Sequence, residues 1–316
     1  MNADINNYKV NLIKINNYSK KKHILNLFTE EIFVINLLSN KIRRNYIIMM
    51  MKKYKINFTL VIVDSINDDI YNIINKNKKL TKGEIGCSLS HMWCLNRIIK
   101  DGLKNAIIFE DDIIFHKDII QMFTKVMNSQ TYDFLLLGAC DFNFSKLNFK
   151  NVLDVGLYKP DPNSIKVYGA HAIYYSLKGA ERMFEKTNEN LYFFDRNYHI
   201  MFDYFKDTSY ICYPNLVVSD ISTTNINHYY QFFSENEKKY YTECFHNFNF
   251  NHYNFFYLSL IIQNPEISLS DTDTFEKYVD KIIENSFKNK QYQKEIKKRM
   301  VMNFFDINDL KFLLLF

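Results

Sequence analysis

The run NAIIFEDDIIF (residues 105–115) limits what this chain can fold into more than any other stretch. Ala106, Ile107, Ile108 and Phe109 form an apolar, β-branched and aromatic run, and Glu110, Asp111 and Asp112 follow directly. Its length and composition predict a buried strand. Similar runs recur, and helix-like stretches separate them. EIFVINLL (31–38) and INFTLVIVDS (56–65) read as strands, the second ending at Asp64. Between them SNKIRRNYIIMMMKKY has helical spacing, with Ser39 as the expected N-cap. Residues 83–100 read as a helix with Ile85, Leu89, Met92 and Leu95 on its apolar face. A helix over about 118–127 and a strand in YDFLLLG (132–138) come next. KVYGAHAIYYS, LKGAERMFEK, a helix over 196–205 and SYICYPNLVV then give strand, helix, helix and last strand. Strands alternating with helices imply an α/β fold with a parallel sheet.

This pattern occupies residues 31–228. Residues 1–30, polar and rich in Asn and Lys, read as an N-terminal extension, either structured or partly disordered. Residues 229–316 are aromatic and helix-compatible, and are expected to form a helical C-terminal extension.

Composition excludes several classes. A net charge of +5, with only short basic clusters at Lys20-Lys21-Lys22 and Lys297-Lys298-Arg299, describes a solvated surface and not a nucleic-acid binder. The five cysteines contain no CxxC pair, which argues against a disulfide framework and for a reducing compartment. Cys87, His91 and Cys94 fall at i, i+4 and i+7 of the expected helix; without a fourth ligand nearby they read as a core-facing stripe in preference to a zinc face. MNADINNYKVNLIK does not have the form of a secretory signal. No stretch approaches the roughly 18 apolar residues that cross a bilayer. A cytoplasmic protein, of a bacterium or of the host cell of a large DNA virus, is therefore expected. The C-terminal LKFLLLF packs on the core or makes a peripheral membrane or partner contact.

In open α/β sheets ligands bind beyond the carboxyl ends of the strands. Glu110, Asp111 and Asp112 stand at such an end, and three like charges repel unless a cation or a Lys/Arg side chain neutralises them. A hard divalent cation, magnesium or manganese, can serve and can bridge to a phosphorylated substrate. The same acids also suit a solvated turn that caps the next helix.

The neighbouring residues narrow the choice. LTKGEIGCSLSHMWCLNRIIKDGLKNAIIFEDDIIF (80–115) resembles the Gly-x-x-Gly-Cys-x-x-Ser-His helix, strand and Glu-Asp-Asp of glycosyltransferase family 25, which contains lipooligosaccharide glycosyltransferases and collagen hydroxylysine galactosyltransferases. FVINLLSNKIRR, YGAHAIYYSLKGAERM and YPNLVVSDIS resemble three further family segments, in the same order, so the resemblance runs over about 31–225.

The resemblance implies a type A glycosyltransferase fold, with a Rossmann-like nucleotide-sugar domain. It implies a metal-dependent, inverting transfer of galactose or glucose from a UDP-sugar to a glycan or a hydroxylysine. Glu110, Asp111 and Asp112 then act as a DxD-like motif, with Asp112 the first direct ligand of manganese, Glu110 beside it, and His228 or Asp220 a late third ligand. Val34, Ile35, Asn36 and Leu37 approach the uridine. Arg43 or Arg44 contacts phosphate or decorates its helix. Asp64 sits where the family has Asp-Gly, but Ser65 replaces that glycine. Ser90 and His91 lie on the helix under the donor, and His171 lines the cleft. Inversion needs a base for the acceptor hydroxyl. Asp195 in YFFDRNYH is the leading candidate, although Phe-Phe replaces the family's Pro-Val before it; Asp203 and Asp220 are its rivals. Two other readings stand beside this one: a non-catalytic nucleotide-sugar or glycan binding module, and a magnesium-binding phosphoryl receiver.

Overall fold

The computed structural model of the protein describes residues 9–16, 24–75, 80–116, 118–141, 156–160, 167–189, 193–213 and 215–219. The C-terminal extension, the boundary at 228, Asp220 and His228 lie outside the described residues.

Three strands with near-continuous apolar runs form the centre. β2 (Glu31–Leu37) buries five consecutive residues, β3 (Phe58–Val63) all six, and β4 (Asn105–Glu110) its four central ones. β2 pairs in parallel with both β3 and β4. Successive side chains of a strand point to opposite faces. Phe33, Ile35, Val61, Val63, Ala106 and Ile108 accordingly join one core cluster, while Ile32, Val34, Leu60, Ile62, Ile107 and Phe109 are buried on the other side. A sheet buried on both faces is the Rossmann-like α/β arrangement.

Helices supply the cover. α1 (Ile24–Phe28) and α2 (Lys41–Lys53) precede and follow β2. α2 starts after Asn40, not Ser39: the Asn40 side chain accepts from Arg43 N, and Ser39 lies one residue outside in the turn. α3 (Asp68–Ile74) is a short helix that the sequence pattern does not disclose. α4 (Lys82–Asp101) matches its expected span. Thr81 and Glu84 form a reciprocal capping box at its start, and Gly102, at φ 62°, ends it in the left-handed conformation that glycine adopts at least cost. Ile85, Leu89, Met92, Leu95 and Ile98 all face the core. No helix among the described residues is long and apolar enough to cross a membrane.

The sheet is mixed, not purely parallel. Its order is β1-β3-β2-β4-β10-β6-β11-β8, with β1 (Val10–Ile15), β6 (Phe134–Leu136), β8 (Gly156–Tyr158), β10 (Ala172–Ser176) and β11 (Ser209–Tyr213) added to the centre. β1 makes the N-terminal extension a structured one: it pairs antiparallel with β3 at the edge. β10 runs antiparallel between β4 and β6, and β11 returns parallel to β6. Reversing β10 has a local consequence. Its first residue, Ala172, pairs with Phe109, so the segment entering β10 lies beside the acidic end of β4.

α5 (Ile119–Ser129) follows a short strand, β5 (Ile113–Phe115), and α6 (Leu177–Glu189) packs beside α4. The expected helix over 196–205 is a 3-10 turn (Phe194–Asn197) running into α7 (Tyr198–Tyr204). SYICYPNLVV divides as well: β11 ends at Tyr213, and β12 (Val217–Ser219) leaves the main sheet to pair with β5. KVYGAHAIYYS divides in the same way, with β9 (Val167–Tyr168) pairing with β7 (Cys140–Asp141) before β10 begins.

Candidate active site

The site forms where β2, β4, the entry to β10 and β12 meet. Glu110 is the last residue of β4, and its N–H donates to the His171 carbonyl at 3.0 Å. Asp111 and Asp112 turn the chain into β5, which Tyr46 of α2 anchors by donating its hydroxyl to the Ile113 carbonyl at 2.9 Å.

The three acids have different surroundings. Asp111 is buried and immobilised: Asn36 Nδ2 donates to its Oδ2 at 2.6 Å, and Arg43 Nη1 donates to its Oδ1 at 3.0 Å. The same Arg43 nitrogen lies 3.2 Å from Asp112 Oδ2. So the chain already carries one neutralising cation for its acids, a guanidinium from the first turn of α2. Burial is the largest influence on Asp111 and, with Asp112 beside it, pushes the carboxyl up to about 6 against the pull of Arg43 and Asn36. Asp112 is also raised, by burial first and by Glu110; Arg43, His171 and a hydrogen bond from Ser219 oppose the rise. Its Oδ1 is buried and has no hydrogen-bond partner among the described residues.

Glu110 faces another way. Cys87 Sγ donates to its Oε1 at 3.4 Å, and His91 Nε2 lies 3.2 Å from the same oxygen. Burial alone would raise Glu110, but the hydrogen bond and charge of His91, with His171 and the Cys87 thiol, outweigh it and lower the carboxyl below its ordinary value. The His91 ring stacks on Phe194, with centroids 4.4 Å apart.

Asp195 follows Phe194, and Gly169 N–H donates to its Oδ2 at 2.9 Å. Burial raises the Asp195 carboxyl above its ordinary value, and the Gly169 bond only partly offsets this. Tyr198 donates to the Gly169 carbonyl at 3.1 Å, which ties the β10 entry to the start of α7. His171 is buried. Its Nε2 sits 3.2 Å from the Val217 carbonyl, and since a carbonyl only accepts, that nitrogen carries the proton. Burial lowers the His171 pKa, against Glu110 and Asp112. Gly138 leaves room for this contact: a Cβ there would lie 1.7 Å from Val217 O.

The structure therefore brings together Asn36, His91, Glu110, Asp111, Asp112, His171 and Asp195. Val34 and Ile35 are buried inside β2, and Leu37 ends it at the same edge. Arg44 does not reach the acids. Its Nε donates to Asn36 Oδ1 at 2.7 Å and its Nη2 to the Leu38 carbonyl at 2.5 Å, so it fixes the turn after β2. Ser90 donates to the Gly86 carbonyl of its own helix at 2.6 Å. Asp64 follows β3 and is partly exposed. Asp203 lies on α7, 72% exposed at its side chain and 3.7 Å from Lys206. The helical stripe splits: Cys94 is in the core, whereas Cys87 and His91 face Glu110. Sequence reasoning missed the contributions of Cys87, Gly169, Phe194 and Ser219. The Cys-x-x-Ser-His spacing was the one signal that could have pointed to Cys87; the other three are joined to the site only by tertiary packing.

The chain is similar to several known proteins. Procollagen galactosyltransferase 1 of Danio rerio is 38% identical over 63 residues, 19% of this chain and 10% of that protein. A probable inactive glycosyltransferase 25 family member 3 of Rattus norvegicus is 31% identical over 71 residues, 21% of this chain and 12% of that protein. The inactive glycosyltransferase 25 family member 3 of Homo sapiens is 31% identical over 74 residues, 22% and 12% of the two chains. The chain thus spans about a tenth of the length of the curated relatives it matches. The family described as glycosyltransferase family 25 (LPS biosynthesis protein) matches residues 29–195. That match begins just before β2, takes in the whole acidic edge and ends on Asp195, and by it the chain belongs to glycosyltransferase family 25.

Proposed function

We propose that the protein transfers galactose or glucose from a UDP-sugar to a hydroxyl of a glycan or of a hydroxylysine, with inversion at the sugar carbon. The observation that carries this is Asp112 Oδ1, a buried carboxylate oxygen at the carboxyl end of the central strands with no hydrogen-bond partner among the described residues. A buried acceptor left without a donor is costly, and a hard divalent cation suits an oxygen ligand of this kind. Manganese, or magnesium, would be held there by Asp112, with the diphosphate of the donor completing its shell. Bound in that place, the cation supplies charge stabilisation to the departing nucleoside diphosphate.

The chain's own groups do the rest. Asn36 and Arg43 hold Asp111, and through it the turn that presents Asp112. Asp195 takes the proton of the acceptor hydroxyl as its oxygen attacks the sugar carbon and the bond to the diphosphate breaks. Gly169 fixes that carboxylate, and its raised pKa makes it a stronger base than an exposed aspartate. His171, held by the Val217 carbonyl, lies within electrostatic reach of both Glu110 and Asp112.

A binding module without turnover is the second reading. Arg43 already pairs with two of the acids, and two of the relatives named above are inactive or probably so by name. Calorimetric titration with a panel of UDP-sugars, with and without manganese, followed by a transfer assay on the sugar that binds, separates the two. Manganese-dependent binding with transfer supports the enzyme. Binding without transfer supports the module, and no binding in either condition removes both.

A further inference from the structure

We propose that Cys87, His91 and Glu110 form a three-ligand site for a zinc-type cation, with the fourth position open toward solvent. This cation is distinct from the manganese placed at Asp112, and the site stands without the UDP-sugar reading.

Among the described residues these three side chains are the group whose potential ligand atoms converge, all within 4.8 Å of one another. Cys87 Sγ is 3.4 Å from Glu110 Oε1, and His91 Nε2 is 3.2 Å from it. Tetrahedral zinc, about 2.3 Å from sulfur and about 2.0–2.2 Å from nitrogen or oxygen, needs donor atoms roughly 3.3–3.6 Å apart. The two measured separations are close to that range, so a cation can enter with small side-chain shifts. The donor chemistry selects the metal. A thiol, an imidazole and one carboxylate suit zinc or cobalt, whereas manganese and magnesium prefer oxygen alone.

The elements make the site rigid on one side and open on the other. Cys87 and His91 are one helical turn apart on α4, a well-capped helix packed on the sheet, and Glu110 ends a central strand. The His91 side chain is fully buried and stacked on Phe194, while the Glu110 side chain is 25% exposed and Cys87 is half-buried. Three protein ligands with one accessible position is the arrangement in which zinc takes a water or a substrate atom. On binding, the Cys87 thiol releases its proton to solvent and becomes the thiolate ligand. His91 Nδ1 has no hydrogen-bond partner among the described residues. Ligating histidines are ordinarily held by such an outer partner, whose loss costs roughly 10- to 100-fold in affinity. The site is therefore expected to bind that much more weakly than a zinc site with a complete outer shell.

The test is titration of the full chain, first stripped with chelator, with cobalt(II). The expected result is one equivalent bound, with a thiolate-to-cobalt charge-transfer band, absent in Cys87→Ser and in His91→Ala and retained in Cys94→Ser. Zinc should abolish the band and excess manganese should not. Unchanged circular dichroism shows that each variant folds. No band in the wild-type chain, or a band that survives in folded Cys87→Ser, overturns the proposal. Manganese-dependent UDP binding in Cys87→Ser is read in parallel, so a failure of this site is distinguishable from a failure of the donor reading.

Discussion

Asp111 and Glu110 are adjacent in sequence and opposite in physical state. Asp111 is buried, hydrogen-bonded by Asn36 and ion-paired to Arg43, so its bonding capacity is met within the protein. Glu110 is partly exposed and shares one oxygen with a thiol and an imidazole, while Asp112 beside them keeps a buried oxygen with no partner among the described residues. The difference teaches that an acidic triplet is not one functional unit. One acid is tied into the turn, one keeps an oxygen unpartnered among the described residues, and one faces a separate Cys-His pair.

Replacing Asp195 by asparagine should have the largest effect and lies outside the triplet. Loss of a general base predicts a 10²- to 10⁴-fold fall in kcat with UDP binding unchanged. In the wild type the rate should fall as pH drops through the raised Asp195 pKa, at a higher pH than for an exposed carboxylate, because the base must be ionised. A variant with full turnover removes Asp195 as base.

Asp112→Asn and Asp111→Asn set the two neighbours against each other. Asp112→Asn should abolish manganese-dependent UDP binding in a folded protein, lowering transfer by about 100-fold or more. Asp111→Asn should weaken the fold and leave the manganese requirement in place. Equal loss of manganese dependence in both would break the distinction between them.

Arg43→Met leaves two buried carboxylates without their cation and should cost about 3–5 kcal/mol of stability, read from urea midpoints. Arg44→Met removes hydrogen bonds from the turn after β2 and should cost about 1–2 kcal/mol. The reverse order would show that the acids are not held as the ion pairs imply.

The smallest effect is a pH dependence of stability. Asp111 has a folded pKa of about 6, above its unfolded value, so the native chain binds more protons over that interval. Its contribution is most favourable below the ordinary aspartate range and is lost as pH rises through about 6. Stability should therefore decline more between pH 4.5 and 7 in the wild type than in Asp111→Asn. Identical pH slopes would contradict the raised value.

By itself the sequence determined the local elements. The apolar runs of β2, β3 and β4 specify buried strands, because four consecutive apolar residues in so short an extended segment need cover on both faces of the sheet. Thr81, Glu84 and Gly102 define both ends of α4 through side-chain and backbone rules that need no partner. The acids at the end of β4 followed from their place in the chain. Tertiary structure alone decided what each of them meets. β10 enters the sheet antiparallel, and its pairing with β4, between residues some 65 positions apart, carries Gly169 and His171 to the acidic edge. Arg43 and Arg44 are adjacent and chemically identical, yet a helix turns about 100° per residue, so one reaches Asp111 and the other the turn after β2. The same rotation, with a rise of about 4.5 Å over three residues, carries Cys94 from the Glu110 edge into the body of the core while Cys87 and His91 stay at the strand's end. Local composition sets which segments become strands and helices; which side chains converge depends on strand order, direction and helix rotation, and those are fixed by contacts between residues distant in sequence.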